Sequence, residues 1–343
     1  MENFLDFTLT ELEERMLNLN LEKYRAKQLF SFVYNKGFDD FSNISVLKKS
    51  DRNILNEKFL IPKLEYTTIK DKDGTIKFLF KLQDNCAVES VLIPMGEGKN
   101  TVCVSTQVGC KMNCKFCATG KLGFTRNLKI WEIIYQVRHI YNVIKKNTTK
   151  APNIVFMGMG EPLDNYDNTI KAILIINNEY GLSISRRRIT LSTCGLVPQI
   201  EQLKKDLPFI NLAISLNAAD NFKRNFLMPI NTTYPIEELL ECVKDFPLPE
   251  RKRLTFEYIM IKGFNDKQED INNLIKLLKS LKCKINLIPF NQYNKNDNLF
   301  TSDNQTIERF AETLRNKNMF VTVRKSKGES INAACGMLVA AMR

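Results

Sequence analysis

Three cysteines in one short stretch, Cys110-Lys111-Met112-Asn113-Cys114-Lys115-Phe116-Cys117, have the spacing C-x3-C-x2-C with an aromatic residue before the third. Thiolates are soft ligands that suit zinc or iron–sulfur clusters. Three ligands from one loop leave one open position on a four-coordinate metal or on a [4Fe–4S] cubane. An open iron can hold a small chelating ligand through an amino and a carboxylate group. A structural zinc site is the alternative, but such sites use paired C-x2-4-C knuckles and a fourth ligand, and no second knuckle follows. The spacing favours an iron–sulfur cluster with an exchangeable corner.

Further polar residues collect after apolar runs. Gly158-Met159-Gly160-Glu161-Pro162 combines two glycines, which let backbone approach a ligand closely, with a carboxylate that can accept from an amino group. Thr190-Leu191-Ser192-Thr193 and Ser215-Leu216-Asn217 offer hydroxyls, and Pro289-Phe290-Asn291 offers an amide. Each alone is a common strand ending; the series beside a cysteine loop fits a pocket for a nucleoside and an amino acid. Cys103 precedes the loop, Cys335 lies in the small-residue stretch Asn332–Gly336, and Glu89 sits in Val88-Glu89-Ser90-Val91. Their own surroundings read as buried thiols and an edge-strand carboxylate. Spacing alone does not choose Cys103 or Cys335 over Cys86, Cys194, Cys242 or Cys283. His139, the only histidine, falls on a helix and reads as structural or exposed, which leaves base chemistry to carboxylates or thiolates.

The elements that must position these residues follow from periodicity. Residues 1–60 read as a small helical accessory domain, with Thr8 and Glu11 forming a capping box. Residues 61–95 read as a β-extension, in which Leu64–Ile69 and Ile76–Leu82 flank the turn signal Asp71–Gly74 and Ala87–Pro94 follows. From residue 96 to 343 strands and helices alternate. Strands are expected over Val102–Gln107, Asn153–Met157, Arg188–Ser192, Ile210–Leu216, Leu254–Ile261, Lys284–Pro289 and Phe320–Arg324. Helices are expected over Leu128–Val143, 166–178, 197–205, 236–245, 267–281 and 304–317. This order predicts an α/β fold, a partial or complete (β/α) barrel with functional residues at the C-terminal ends of its strands.

Net charge is +12, and its placement matters. Residues 1–95 carry 14 Lys and Arg against 15 Asp and Glu, whereas the remainder carries 36 against 23. A basic catalytic part suits a polyanion, with Arg186–Arg188 and Arg251–Arg253 as candidate phosphate contacts. The nine cysteines are scattered, the N-terminus lacks an apolar signal region, and no apolar run approaches the roughly 18 residues a membrane span needs. A cytoplasmic protein that does not enter the membrane is expected.

The segments CVSTQVGCKMNCKFCATG, GMGEP, RRRITLST, AISL, KINLIPFN and NAACG together resemble the bacterial dual-specificity adenine carbon-2 methyltransferases of 23S rRNA and tRNA, within the radical S-adenosylmethionine superfamily. The resemblance implies a partial barrel with an N-terminal accessory domain. It implies that Cys110, Cys114 and Cys117 bind a [4Fe–4S] cluster. Gly160, Glu161, Ser192, Ser215, Leu216, Asn217 and Asn291 would contact S-adenosylmethionine, used twice per turnover. Cys335 would carry the methyl group, Cys103 would resolve the covalent intermediate, and Glu89 would accept a proton. The implied partners are 23S rRNA, tRNA, an electron donor such as flavodoxin or ferredoxin, and a thiol reductant, with the chain acting as a monomer. Related enzymes methylate carbon 8 and tend to carry Ala where this chain has Pro162, so GMGEP favours carbon 2. Asn217 departs from the His usual at its position; an amide hydrogen-bonds but does not titrate. A non-enzymatic RNA-binding protein with a metal site is the remaining alternative, and it leaves the strand-end series without a purpose.

Overall fold

The computed structural model describes residues 1–293 and 298–340. Thr8 begins the first helix as its sequence predicts: the Glu11 amide donates to the Thr8 hydroxyl at 3.3 Å, and the Thr8 amide donates to the Glu11 carboxylate at 2.8 Å. Helices α1 (Leu9–Asn18), α2 (Arg25–Phe30) and α3 (Lys49–Lys58) are closed by a short parallel pair, β1 (Glu2–Asn3) with β2 (Phe59–Leu60). Their core is aromatic. Phe4 meets the rings of Phe41 and Phe59 at 5.5 and 6.1 Å.

The hairpin at Asp71–Gly74 joins β3 (Glu65–Lys70) to β4 (Ile76–Lys81), and β5 (Ala87–Pro94) and β6 (Asn100–Cys103) continue it, each antiparallel to the last. Next come β7 (Gln107–Gly109), α4 (Ala118–Lys121), β8 (Phe124–Asn127), α5 (Ile130–Lys145), β9 (Asn153–Phe156) and α6 (Tyr166–Asn177). The chain goes on through β10 (Ile189–Thr193), α7 (Val197–Asp206), β11 (Asn211–Ser215), α8 (Asn221–Leu227) and α9 (Ile236–Val243). It ends with β12 (Leu254–Met260), α10 (Gln268–Leu278), β13 (Cys283–Pro289), α11 (Asn304–Asn316) and β14 (Val321–Val323).

One ten-stranded sheet runs β14-β13-β12-β11-β10-β9-β6-β5-β4-β3. From β6 to β14 every neighbouring pair is parallel. The sheet ends at β14 and β3 without closing, so the barrel is partial. Apolar strands such as β12, buried along its whole length, follow from coverage by the crossover helices.

Most boundaries shift by one to three residues from the sequence pattern, and two of the shifts bear on the site. The strand expected over Val102–Gln107 leaves the sheet after Cys103, because the Thr106 and Gln107 amides turn to the Met159 carbonyl at 2.9 and 3.2 Å. Gln107–Gly109 pairs instead with β8, which makes a two-stranded clip around the cysteine loop. The helix expected from Leu128 starts at Ile130, since the Lys129 amide is capped by Glu132 at 2.8 Å. Helix α8 was not visible in the sequence pattern.

The helical segment is fastened to the barrel by Arg138 of α5. That guanidinium is buried and donates to the Val33 and Phe38 carbonyls, each at 2.9 Å, and to the Asp39 carboxylate. His139 beside it packs among Tyr66, Phe78, Phe80 and Tyr135, which bears out a structural role. Among the described residues no helix is long and apolar enough to cross a membrane.

Candidate active site

The concave interior of the sheet encloses a cavity of about 880 Å³. Its wall includes Cys110, Cys114 and Cys117, held on a loop that is fixed at several points. The Cys110 amide donates to the Gly123 carbonyl at 2.8 Å, the Cys117 amide to the Cys114 carbonyl at 3.2 Å, and the Lys115 amide to the Leu227 carbonyl at 2.9 Å. Asn113 takes a left-handed turn conformation at φ 50°, which Asn tolerates better than most residues. Burial pushes the Cys110 thiol up to about 12, and burial together with the neighbouring sulfurs pushes Cys114 well above the ordinary range. Cys117 is raised by burial as well. Bare thiolates are therefore disfavoured here, and a cationic iron–sulfur core would relieve that cost. Among the described residues no three acidic, His or Cys side chains converge on one ion position. A cubane asks for no such convergence, because each of its thiolates binds a different iron. The donor set fits a cluster.

Gly158 and Gly160 are demanded by close contact. A Cβ on Gly158 would stand 2.6 Å from the Ser105 hydroxyl, and one on Gly160, at φ 96°, would stand 2.5 Å from the Gln107 Cβ. Glu161, buried on the cavity wall, accepts from the Leu163 amide at 3.1 Å and the Cys194 amide at 2.8 Å. Burial raises its pKa, and these amides partly offset that. The carboxylate thus ties the Gly-rich turn to the end of β10.

Ser192, Ser215 and Asn217 line the same cavity, from β10, β11 and the turn after β11. Asn217 is left-handed at φ 58°. Its carboxamide accepts from the Ile259 amide at 3.1 Å and points its nitrogen at the Met228 sulfur, 3.3 Å away. Leu216 is fully buried and is absent from the cavity wall; only its backbone faces the strand-end network. Asn291, also on the wall, donates to the Cys335 carbonyl at 3.1 Å and accepts from the Ser326 hydroxyl at 2.9 Å. It positions the C-terminal segment.

That segment forms a strap fastened to the residues that follow the cysteine loop. The Ala118 amide donates to the Gly336 carbonyl and the Thr119 hydroxyl to the Leu338 carbonyl, both at 2.7 Å. Cys335 and Cys103 are free thiols that share the cavity wall. Burial, with a smaller contribution from Cys335, pushes Cys103 up to about 12, while the Arg324 guanidinium works the other way. Glu89 is buried outside the cavity wall, paired with Lys77 at 2.9 Å and accepting from the Val339 amide at 2.9 Å.

Sequence reasoning passed over Glu257, Asn286 and Arg324 and gave Cys194 no role, yet all four line the cavity. The Asn286 amide donates to Glu257 at 2.6 Å, and burial raises the Glu257 pKa. A lone carboxylate inside the apolar run LTFEYIM was the available signal. It also passed over Arg224 of α8, which is fully buried.

Comparison with known proteins agrees with this architecture. A family described as the radical SAM superfamily matches residues 104–278, and one described as the ribosomal RNA large subunit methyltransferase N-terminal domain matches residues 2–61. The dual-specificity RNA methyltransferase RlmN of Syntrophus aciditrophicus is 46% identical over 98% of this chain and 96% of its own. That of Nautilia profundicola is 44% identical over 98% and 97%. The crystal structure of a radical SAM methyltransferase from Sphaerobacter thermophilus has a TM-score of 0.93 and 38% identity, covering 99% of this chain and all of that one. The chain belongs to the radical S-adenosylmethionine superfamily and, within it, to the dual-specificity RNA methyltransferases.

Proposed function

We propose that this enzyme adds a methyl group to carbon 2 of an adenosine in 23S rRNA and in the tRNA anticodon loop, by way of a methyl group carried on Cys335. The observation that carries this reading is the single cavity whose wall holds the three thiols of the Cys110–Cys117 loop together with Cys103 and Cys335. Carbon 2 of adenine lies between two ring nitrogens and is a poor nucleophile, so polar transfer from a sulfonium fails there. A bound [4Fe–4S] cluster with S-adenosylmethionine supplies the carbon radical that protein side chains lack.

The chain's own residues supply the rest. Cys110, Cys114 and Cys117 would hold the cluster. Gly160 and Glu161, with Ser192, Ser215 and Asn217, would frame S-adenosylmethionine; Leu216 would act through its backbone, and Asn291 by holding the Cys335 carbonyl. The Cys335 sulfur would take the methyl group of one S-adenosylmethionine by displacement, with the thioether sulfur as leaving group, and a second would supply the radical that activates that methyl group. Cys103 would then attack the Cys335 sulfur, forming the S–S bond as the S–CH2 bond to the adduct breaks; that electron pair and a proton complete the methyl group of the product, and external thiols reduce the disulfide left behind. Glu89 would accept the ring proton, a role that rests on the resemblance alone, since its carboxylate is paired with Lys77 and the Val339 amide outside the cavity wall. Pro162 lies on the cavity wall and supports carbon 2 over carbon 8. The same reading divides the chain into an accessory domain (1–60), a β-extension (61–95) and a catalytic barrel (96–343). It makes the enzyme a cytoplasmic monomer that draws electrons from a flavodoxin or ferredoxin.

Anaerobic reconstitution with iron and sulfide, then incubation with S-adenosylmethionine, reductant and an unmodified 23S rRNA fragment, tests this by mass spectrometry of the digested RNA. 2-Methyladenosine is the expected product, and 8-methyladenosine would overturn the assignment. Cys335→Ala should give neither methyl-cysteine nor product. Normal turnover by that variant would remove Cys335 from the scheme.

A further inference from the structure

Arg224 has no accessible surface. Its donors are met by neutral groups only: the Leu216 carbonyl at 3.1 Å, the Asn231 amide oxygen at 2.6 Å, and the Cys194 and Ser215 carbonyls at 2.7 and 3.2 Å. Asn231 is itself oriented by donating to the side-chain oxygens of Asn221 and Asn225 at 2.9 and 2.6 Å. Among the described residues no carboxylate forms an ion pair with this guanidinium. A buried cation is costly unless an opposite charge faces it, and carbonyl dipoles repay only part of that cost.

Its position indicates where the missing charge arrives. Arg224 lies on α8, whose last residue, Leu227, accepts from the Lys115 amide inside the cysteine loop. The carbonyls it grips belong to the ends of β10 and β11, where Ser215 and Cys194 line the cavity. Burial presses its pKa down to about 10, and the nearby Cys194 and Cys114 sulfurs oppose that shift. We infer that Arg224 is the internal counter-cation of the cluster site, a positioning residue whose charge is balanced by the cysteine thiolates and the cluster they bind. The inference rests on the cluster reading above. It predicts that Arg224 raises the reduction potential of the bound cluster, because a nearby positive charge favours the more negative, reduced state.

The test compares wild-type holoenzyme with Arg224→Gln, Arg224→Lys and Asn231→Ala, each reconstituted and assayed for iron and sulfide before a redox titration followed by electron paramagnetic resonance. Arg224→Gln removes the charge. At the wild-type midpoint its ratio of reduced to oxidised cluster should fall at least about tenfold, equivalent to about 59 mV for one electron. Arg224→Lys and Asn231→Ala disturb the hydrogen bonds yet keep a cation, and their midpoints should stay near wild type. An unshifted Arg224→Gln, or a fall of about 59 mV or more in either charge-preserving variant, would overturn the inference, and the second criterion stands even where the Gln variant does not fold. Failure of the wild-type chain to take up a cluster would instead overturn the cluster reading, and the inference with it.

Discussion

Cys103 shows how burial and chemistry pull against each other at a single residue. A thiol must ionise to attack sulfur, yet burial pushes this one up to about 12, with Arg324 as the opposing influence. At neutral pH only a small fraction is thiolate, and that fraction grows about tenfold per pH unit below the pKa. Release of RNA from the covalent adduct should accelerate accordingly between pH 7 and pH 9, measured by quenching single turnovers on denaturing gels. Arg324→Gln should slow release further, and Cys103→Ala should leave the adduct in place. Release that is already independent of pH at 7 would mean another group resolves the intermediate. The cysteine loop was legible in the sequence because its spacing is local. Arg224 and Glu257 were not, since what sets them apart is burial and partners from distant strands.

Among elements, α5 joins the barrel to the N-terminal helical segment through Arg138. Its apolar face is plain in the sequence, and the strand–helix alternation gave the barrel its order. The junction was harder to read, because Arg138 looks like any basic helix residue until Val33, Phe38 and Asp39 are seen around it. The break at Cys103 was hidden for a similar reason: an uninterrupted β-type run can leave one sheet and enter another without a Gly or Pro to mark it. Removing the Arg138 guanidinium leaves the buried Val33 carbonyl and the partly buried Phe38 carbonyl without this donor, at a cost of about 1–3 kcal/mol. Arg138→Ala should therefore loosen residues 31–40 first, seen as faster amide hydrogen exchange there than in β10–β13. Equal protection in the variant would assign the junction to apolar packing instead.

Over the whole molecule, charge and topology together decide where RNA can be gripped. The excess of basic residues beyond residue 95 was visible in the sequence, but its direction was not. Arg186–Arg188 and Arg251–Arg253 precede β10 and β12, so they stand at the N-terminal rim of the barrel. Arg186 is spent on Asn177 and the Pro208 carbonyl, and Arg253 stacks on Phe320 at 3.8 Å. Cys335 is held at the opposite rim, by Asn291 after β13. Lys325 and Lys327 follow β14 on that same rim and line the cavity. A target adenosine must leave its stack to reach the cavity, and on this reading its flanking phosphates should meet these lysines rather than the arginine triplets. RNA affinity should fall steeply with salt, each phosphate contact adding about 0.7 to the slope of log affinity against log salt. Lys325→Ala and Lys327→Ala should each flatten that slope by about 0.7 to 1, whereas Arg187→Ala and Arg251→Ala should leave it unchanged. Fluorescence anisotropy with a labelled hairpin at several salt concentrations measures this directly. The reverse pattern would put the RNA on the far rim and require a different route to Cys335.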